Sequence, residues 1–166
     1  YSLVFGFGPT WQGSHPSLGT KNALFPLENM YLELISKEDE GPLGEYIDEH
    51  IKKNGESVFG LALETDDIEK AKKKLSENFK VDLEILDGKG LDNVSKKERH
   101  WKNILIPMDV SRGVFTLLIE HTGGTLPEPE DLDESNISRM DHVVINSNDP
   151  DGLVDLYKEK YGIRLA

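Results

Sequence analysis

Two short apolar runs, Leu61–Leu63 and Val143–Ile145, are each followed by acidic residues and then by apolar positions at helical spacing. Runs of this length predict buried strands, and the acidic residues are suited to capping the helices that follow. The first helix is expected to begin after Asp66, with Glu69 completing a capping box. The apolar positions are Ile68, Ala71, Leu75 and Phe79 in the first helix and Leu153, Val154 and Tyr157 in the second. Both segments therefore predict a strand followed by an amphipathic helix.

Six further segments have the composition of strands and are separated by clusters of Gly, Asp and Ser. The predicted strands are Leu3–Phe7, Asn22–Leu27, Met30–Ile35, Val81–Leu86, Lys102–Met108 and Val114–His121. A modest helix is predicted within Lys37–Asn54, and His15 is predicted to lie in a Gly- and Ser-rich loop next to Trp11.

The chain also contains an internal repeat. Lys21–Glu28 matches Lys102–Asp109 at a separation of 81 positions, and Val58–Glu64 matches Met140–Asn146 at a separation of 82. Two independent segments thus give nearly the same period, which is the signature of a duplicated structural unit. The complete copy has the element order βαβββ, and the two Lys-Asn segments are predicted to occupy equivalent strands.

The order of parts divides the chain into four segments. Residues 1–57 are predicted as a front half-unit of three strands and a connecting helix, 58–125 as a complete βαβββ unit, 126–138 as an acidic linker, and 139–166 as a strand-helix half-unit. The last segment either completes the front unit, by permutation or by exchange between two copies, or begins a further unit. Because an uncovered strand edge favours aggregation, we expect Met140–Tyr161 to pack against the front strands and to bring His142 towards Glu33.

Composition narrows the function classes. The 166 residues suit one compact domain, and 31 acidic against 19 basic residues give a net charge of -12, which disfavours nucleic acid and anionic membranes as partners. The chain has no cysteine, so disulfides and thiolate chemistry are excluded. No apolar run reaches the roughly 20 residues of a membrane span. We found no phosphate-binding loop, serine nucleophile elbow or zinc-protease motif. The cytoplasm is the default location.

Four segments together resemble the glyoxalase-like branch of the vicinal oxygen chelate superfamily. Gly13–Asn22 contains His-Pro, Gly-Thr and Asn, and Tyr31–Ile35 continues with Tyr-Leu-Glu. Met140–Val144 is similar to the opening strand of that superfamily, and Leu118–Glu120 is similar to its closing strand. The resemblance implies an α+β fold of paired βαβββ units that form a curved mixed sheet, here permuted or swapped.

The resemblance also implies a set of metal ligands. Metal-using members place ligands on the first and last strands of each unit, which gives His142, Glu33 and Glu120, with the two glutamates as the catalytic residues. Such donors suit Zn, Fe, Mn, Ni or Co. The residue that matches His142 in the complete unit is Gly60, so one ligand is missing. Two other histidines are available as substitutes, namely His121 and His15. A site without any metal is an equal alternative.

The loop around His15 is rich in Gly and Ser, and such loops often carry binding residues. The predicted substrate-pocket residues are His15, Trp11, Asn22 and Asn103. The leading hypothesis is a metal-dependent enzyme, of lyase, isomerase or dioxygenase type, acting on a small oxygen-bearing molecule. The alternative is a metal-free protein that binds or sequesters a small molecule. A homodimer, strand-swapped or not, is also expected.

Overall fold

The computed structural model describes residues 1–129 and 137–163. The strands are β1 (Trp11–His15), β2 (Thr20–Pro26), β3 (Tyr31–Lys37), β4 (Gly60–Glu64), β5 (Leu86–Asp92), β6 (Glu98–Ile106) and β7 (Phe115–Gly123). The helices are α1 (Ser2–Phe5), α2 (Pro42–Asn54), α3 (Ile68–Phe79) and α4 (Pro150–Val154), and α4 continues as a π-helix over Asp155–Lys160. Residues 130–136 of the predicted linker and 164–166 of the predicted tail lie outside the described residues. The predicted α+β class is confirmed.

The strands form one mixed sheet, in the order β3-β2-β1-β5-β6-β7-β4. β1 pairs antiparallel with β2 and β5, and β2 pairs antiparallel with β3. β4 pairs in parallel with β7, an arrangement that needs a long crossover, and α3 lies within that crossover. A search of the described residues for a helix long and apolar enough to cross a bilayer found none.

The chain divides into two compact units, which are described separately below. Unit 1 contains β1, β2, β3 and α2, and unit 2 contains β4, α3, β7 and the helix near the end of the chain. β5 and β6 contribute residues to both units. Unit 1 comprises Tyr1–Ser57, Lys89–His100 and the described part of Gly123–His142. Unit 2 comprises Val58–Gly88, Trp101–Thr122 and the described part of Val143–Ala166.

The core of unit 2 lies between α3 and the strands that this helix covers. α3 is capped one residue later than predicted, because Asp67 Oδ1 accepts a hydrogen bond from Lys70 N at 2.9 Å. The buried side chains of this core are Ile68, Leu75, Leu83, Ile104, Ile106 and Leu118. Removing these aliphatic groups from water is the main force that holds α3 on the sheet.

The core of unit 1 is aromatic and corrects one predicted strand. Phe5 and Phe25 are buried together, with ring centroids 5.3 Å apart. The predicted strand Leu3–Phe7 is not formed, because Ser2–Phe5 is a short helix that Gly6 ends with a φ of 84°. A left-handed backbone conformation of this kind suits glycine and interrupts an extended chain. The alternating apolar residues therefore place aromatic rings in the core and do not pair in the sheet.

Two further strands lie elsewhere than predicted. His15, predicted to lie in a Gly- and Ser-rich loop next to Trp11, instead ends the strand β1 (Trp11–His15), whose side chains alternate between buried and more exposed. The predicted strand Val81–Leu86 is wrong, since pairing begins only at Leu86 and continues through a Gly-rich stretch to Asp92. Leu83 is instead buried in the unit 2 core without belonging to a strand.

The two matching Lys-Asn segments lie in strands, as the repeat predicts. Most of Lys21–Glu28 lies in β2, and most of Lys102–Asp109 lies in β6. The matched residues Phe25 and Ile106 are each buried in the core of their own unit. This part of the repeat prediction is confirmed.

The tail departs from its predicted form. Met140 packs against the unit 1 core and exchanges two hydrogen bonds with Asn29, from Asn29 Nδ2 to Met140 O at 2.8 Å and from Met140 N to Asn29 Oδ1 at 3.1 Å. The predicted strand that begins here is not formed. The predicted helix is formed but packs on α3 of unit 2 and not on the front strands, with Asn78 Nδ2 donating to Lys160 O at 2.7 Å. Tyr161 also packs its ring against Phe79.

Candidate functional site

One face of the unit 1 strands gathers most of the polar and aromatic residues that the sequence points to. In the strand register Trp11 pairs with Leu24, Leu24 pairs with Glu33, and Gly13 pairs with Asn22. Side chains two positions apart in a strand share a face. We call this surface the Glu33 face; its members are Trp11, Gly13, His15, Thr20, Asn22, Leu24, Tyr31, Glu33 and Ile35. The opposite face carries the aromatic core of unit 1.

Glu33 and Asn22 form the polar centre of the Glu33 face. Asn22 Nδ2 donates a hydrogen bond to Glu33 Oε1 at 2.8 Å. Burial raises the pKa of the Glu33 carboxyl above its ordinary value, while the Asn22 hydrogen bond and the nearby Arg99 charge act in the opposite direction. Asn22 Oδ1 is buried and has no hydrogen-bond partner within the described residues. The pair thus combines a carboxyl group that tends to keep its proton with an acceptor oxygen left open for a donor.

Arg99 is a site residue that the sequence does not point to. It is only 7% exposed, and its guanidinium carbon lies 5.5 Å from the centroid of the Trp11 ring and 5.7 Å from that of Tyr31. A cation over aromatic faces at these distances is attracted to the rings.

Gly13 leaves room for the Trp11 indole on the same face. A Cβ atom on Gly13 would come within 3.0 Å of Trp11 Nε1, so the indole can occupy this space only because residue 13 is a glycine.

His15 is buried at the end of β1. Its Nδ1 lies 3.0 Å from Thr20 Oγ1, within hydrogen-bond distance. Burial lowers the pKa of the imidazole. Two nearby charges have smaller effects: Glu38 raises this pKa and Arg99 lowers it further. The imidazole is therefore suited to neutral hydrogen bonding at physiological pH and not to carrying a charge.

Three of the four predicted pocket residues lie together. His15, Trp11 and Asn22 share the Glu33 face. Asn103 lies on β6 in unit 2, where it is partly buried. Its role in a pocket stays a prediction.

Glu120 makes a structural contact in unit 2. Its Oε2 accepts a hydrogen bond from the backbone N–H of Ile68, the first residue of α3, at 2.9 Å. Leu118, two positions earlier on β7, is buried beneath the same helix, so both side chains point towards α3. The carboxylate satisfies an N–H group that the helix leaves open and complements the positive end of its dipole. The metal-ligand and catalytic roles of Glu120 stay predictions, and this contact does not support them.

Glu33 and Glu120 are therefore not equivalent in their units. Phe25 and its match Ile106 mark the core-facing sides of β2 and β6. Glu33 points away from the core of unit 1, whereas Glu120 points towards the helix of unit 2. A strand alignment that is wrong by an odd number of residues moves a side chain to the other face. Because β3 and β7 are similar in sequence around these two glutamates, the sequence alone does not reveal such a shift.

The contact of Glu120 with α3 leads to a stability prediction. We expect Glu120→Ala to lower the free energy of unfolding by about 1–2 kcal/mol, because the Ile68 N–H loses its acceptor. Glu120→Gln keeps an acceptor oxygen and should lose less. Urea unfolding followed by circular dichroism measures both changes. An alanine variant as stable as the parent protein would show that this hydrogen bond does not anchor α3.

The predicted ligand His142 and its match Gly60 have different surroundings. His142 is exposed, and its Nδ1 lies 2.7 Å from Asp141 Oδ2. Gly60 lies on β4 opposite Phe115, and a Cβ atom there would come within 3.0 Å of the Phe115 carbonyl oxygen. A side chain at Gly60 would require one of the two strands to shift, and we expect this close approach to account for the missing ligand.

The donor set does not fit a resident metal ion. Across residues 1–129 and 137–163, no group of three or more His, Cys, Asp or Glu side chains is placed to hold one. The three predicted ligands are engaged with Asn22, with the first turn of α3 and with Asp141. The buried Arg99 charge acts on Glu33, and a divalent cation beside that guanidinium would be repelled. We therefore derive no step through a metal.

This arrangement of strands and helices agrees with the family to which the chain belongs. The model of the glyoxalase-like domain family matches residues 2–161, so the chain is a member of that family, and the predicted family is confirmed. A search of curated proteins found no match.

Two solved structures match the chain. Streptomyces coelicolor methylmalonyl-CoA epimerase, in complex with 2-nitronate-propionyl-CoA, matches with a TM-score of 0.52 and 17% identity over 74% of this chain and 85% of that one. A hypothetical protein from Bacillus halodurans C-125 matches with a TM-score of 0.48 and 20% identity over 69% of this chain and 76% of that one. At such identities the likeness to the epimerase concerns the fold alone.

Proposed function

We propose that this glyoxalase-like protein is an enzyme that binds a small oxygen-bearing molecule on the Glu33 face and moves a proton at the carbon next to a carbonyl group, with Glu33 as the acid-base residue. The observation that carries the proposal is the Glu33 carboxyl itself. It is held by Asn22 at 2.8 Å, and burial raises its pKa. A carboxyl group tuned upward in this way is a better base for carbon acids and a better acid for returning the proton.

The neighbours of Glu33 suit this role. Asn22 fixes one carboxyl oxygen and leaves its own Oδ1 open for a donor on the ligand. Trp11 and Tyr31 supply aromatic surface on the same face, and Tyr31 and Glu33 keep partial exposure through which a ligand can enter. Small-molecule sites commonly combine such apolar walls with a few convergent polar groups.

The other functions implied by the resemblance differ from this proposal in chemistry. A metal-dependent lyase, isomerase or dioxygenase would need the ligand set His142, Glu33 and Glu120, whose contacts point elsewhere. A metal-free binding protein would use the aromatic and cationic part of the Glu33 face alone, and the buried Arg99 favours it as the second candidate. The two candidates differ in whether Glu33 exchanges protons with the ligand.

The predicted homodimer and the cytoplasmic location stay predictions.

Proton exchange with carbon acids tests the proposal directly. The protein is incubated in heavy water with pyruvate and methylmalonate, and proton NMR follows the replacement of hydrogen at the carbon next to the carboxyl or carbonyl group. We expect catalysed exchange with at least one compound and a loss of roughly 100-fold or more in Glu33→Gln, the usual range for removing a general base. Absence of catalysed exchange, or exchange that the substitution leaves unchanged, would contradict the enzyme and favour the binding protein.

The raised pKa of Glu33 also predicts how stability depends on pH. Folding favours the protonated carboxyl, so its contribution to stability is full below the ordinary pKa of 4.5 and is lost as the pH rises through the raised pKa of the folded state. Glu33→Gln removes this loss and still accepts the Asn22 hydrogen bond. We expect the variant to be more stable at neutral pH by about 0.5–2 kcal/mol, as is common when a strained functional group is neutralised.

Urea unfolding of wild type and Glu33→Gln at acidic and neutral pH measures this difference. The exposed Glu49, changed to Gln, is the matched control and should alter stability little at either pH. If the Glu33 variant is less stable than wild type at neutral pH, the carboxylate is well accommodated when charged, and the argument for an upward-tuned base fails.

A further inference from the structure

Arg99 is a buried cation without a polar partner in the part of the chain that the structure describes. The residue is 7% exposed, and its side chain makes no ion pair or hydrogen bond with residues 1–129 or 137–163. Its Nε is fully buried and has no partner within those two ranges. The attractive contacts found for its guanidinium are those with the Trp11 and Tyr31 rings. Buried charges are normally paired, because taking an ion out of water is costly.

The two aromatic rings alone do not satisfy the hydrogen-bond donors of the Arg99 guanidinium. A cation over an aromatic face gains a modest energy and leaves the N–H groups of the guanidinium fork without acceptors. Glu33 is close enough for the Arg99 charge to lower its pKa, but the two side chains do not form an ion pair. Within the described residues, the Glu33 face thus offers open donors from Arg99, which lies over the Trp11 and Tyr31 rings, and an open acceptor, Asn22 Oδ1.

We propose that Arg99 binds the carboxylate of the ligand, so that the molecules acted on are small carboxylic acids that carry a second oxygen group. This inference rests on the proposed function and names its substrate class. A planar carboxylate matches the guanidinium fork with two parallel hydrogen bonds. A hydroxyl or an amide on the same molecule would supply the donor for Asn22 Oδ1. A dianion such as phosphate fits less well, because the Glu33 carboxyl lies on this face and the Glu38 charge acts on His15 there.

Paired ligands that differ only in charge test the assignment. Isothermal titration calorimetry compares lactate with lactamide; both carry a hydroxyl donor and have nearly the same shape, but only lactate is charged. We expect wild type to bind lactate at least about tenfold more tightly, the scale of one charge-assisted contact. Arg99→Gln should abolish the preference, and Arg99→Lys, which keeps the charge but not the fork, should retain part of it. Glu49→Gln, at an exposed position outside the site, should keep the preference.

The outcomes separate this inference from the proposed function. An anion preference that depends on Arg99, without catalysed proton exchange, would leave the inference standing and overturn the enzyme. Equal binding of the acid and the amide, a preference that survives Arg99→Gln, or no binding of either compound would overturn the inference and leave Arg99 as a structural cation over two rings. Thermal melts and near-ultraviolet circular dichroism check that the variants fold; if Arg99→Gln does not, the Arg99→Lys comparison decides.

Discussion

Replacing Ile104 with alanine should destabilise the protein by about 2–5 kcal/mol, the range for truncating a large aliphatic side chain in a packed core. Ile104 is 0% exposed and lies in the unit 2 core together with Ile68 and Leu75 of α3. Truncation removes apolar contacts and opens a cavity under a helix that has little room to move, because Glu120 holds its first residue. A loss of this size is a large part of the total stability of an ordinary domain.

The neighbouring residue provides a matched control. Leu105 is on the same strand but 48% exposed, and Leu105→Ala should change stability much less. Urea unfolding of both variants, with the same slope expected for each, gives the comparison. Similar losses in the two variants would mean that α3 does not cover β6 on the face assigned to it.

The core residues of β6 also show how the two copies of the repeat differ. Ile104 matches Ala23, and Ile106 matches Phe25. Unit 2 fills the space below its helix with two isoleucines, whereas unit 1 pairs a small residue with a large aromatic one that packs against Phe5. The same strand therefore supports two different cores, and the sequence match between the copies is good enough to place the strand but not to predict what covers it.

Much of the fold follows from local pattern, and the exceptions have local causes. The period of apolar residues predicts α3 and the helix after Asp149, because one-sided burial needs that spacing. β1 is not predicted, since its glycine and serine are poor strand formers, and the strand exists because Trp11 packs over Gly13 beside β2. The strand predicted at Val143–Ile145 is absent, because a strand needs a paired edge and pattern alone does not supply one.

The candidate site is predictable only in part. Glu33, Asn22 and Trp11 can be selected from sequence because they belong to a motif series, and strand register brings them to one face. Glu120 cannot be placed correctly, because a shift by one residue decides whether it faces a ligand or α3. Arg99 lies in a run of charged residues that is typical of exposed surface, and only the contacts with distant rings show that it is buried.

The second large effect is expected at the position where the complete unit lacks a histidine. Backbone propensity alone predicts that Gly60→Ala stabilises a strand, by about 0.5–1 kcal/mol. Packing predicts the opposite, because the new Cβ atom would come within 3.0 Å of the Phe115 carbonyl oxygen, which the parallel pairing of β4 with β7 holds in place. Overpacking against backbone costs about 1–3 kcal/mol, so we expect a net loss of stability.

The sign of the change at Gly60 therefore decides between two explanations of the missing ligand. Gly8→Ala is the control, since a Cβ atom there meets nothing within 4 Å, and it should leave stability unchanged or slightly raised. If Gly60→Ala lowers the midpoint of urea unfolding while Gly8→Ala does not, β4 is held too close to β7 for any side chain, and no histidine can occupy this position without moving the strand. If Gly60→Ala is stabilising, the strands separate easily, and the loss of a ligand at Gly60 has no steric origin.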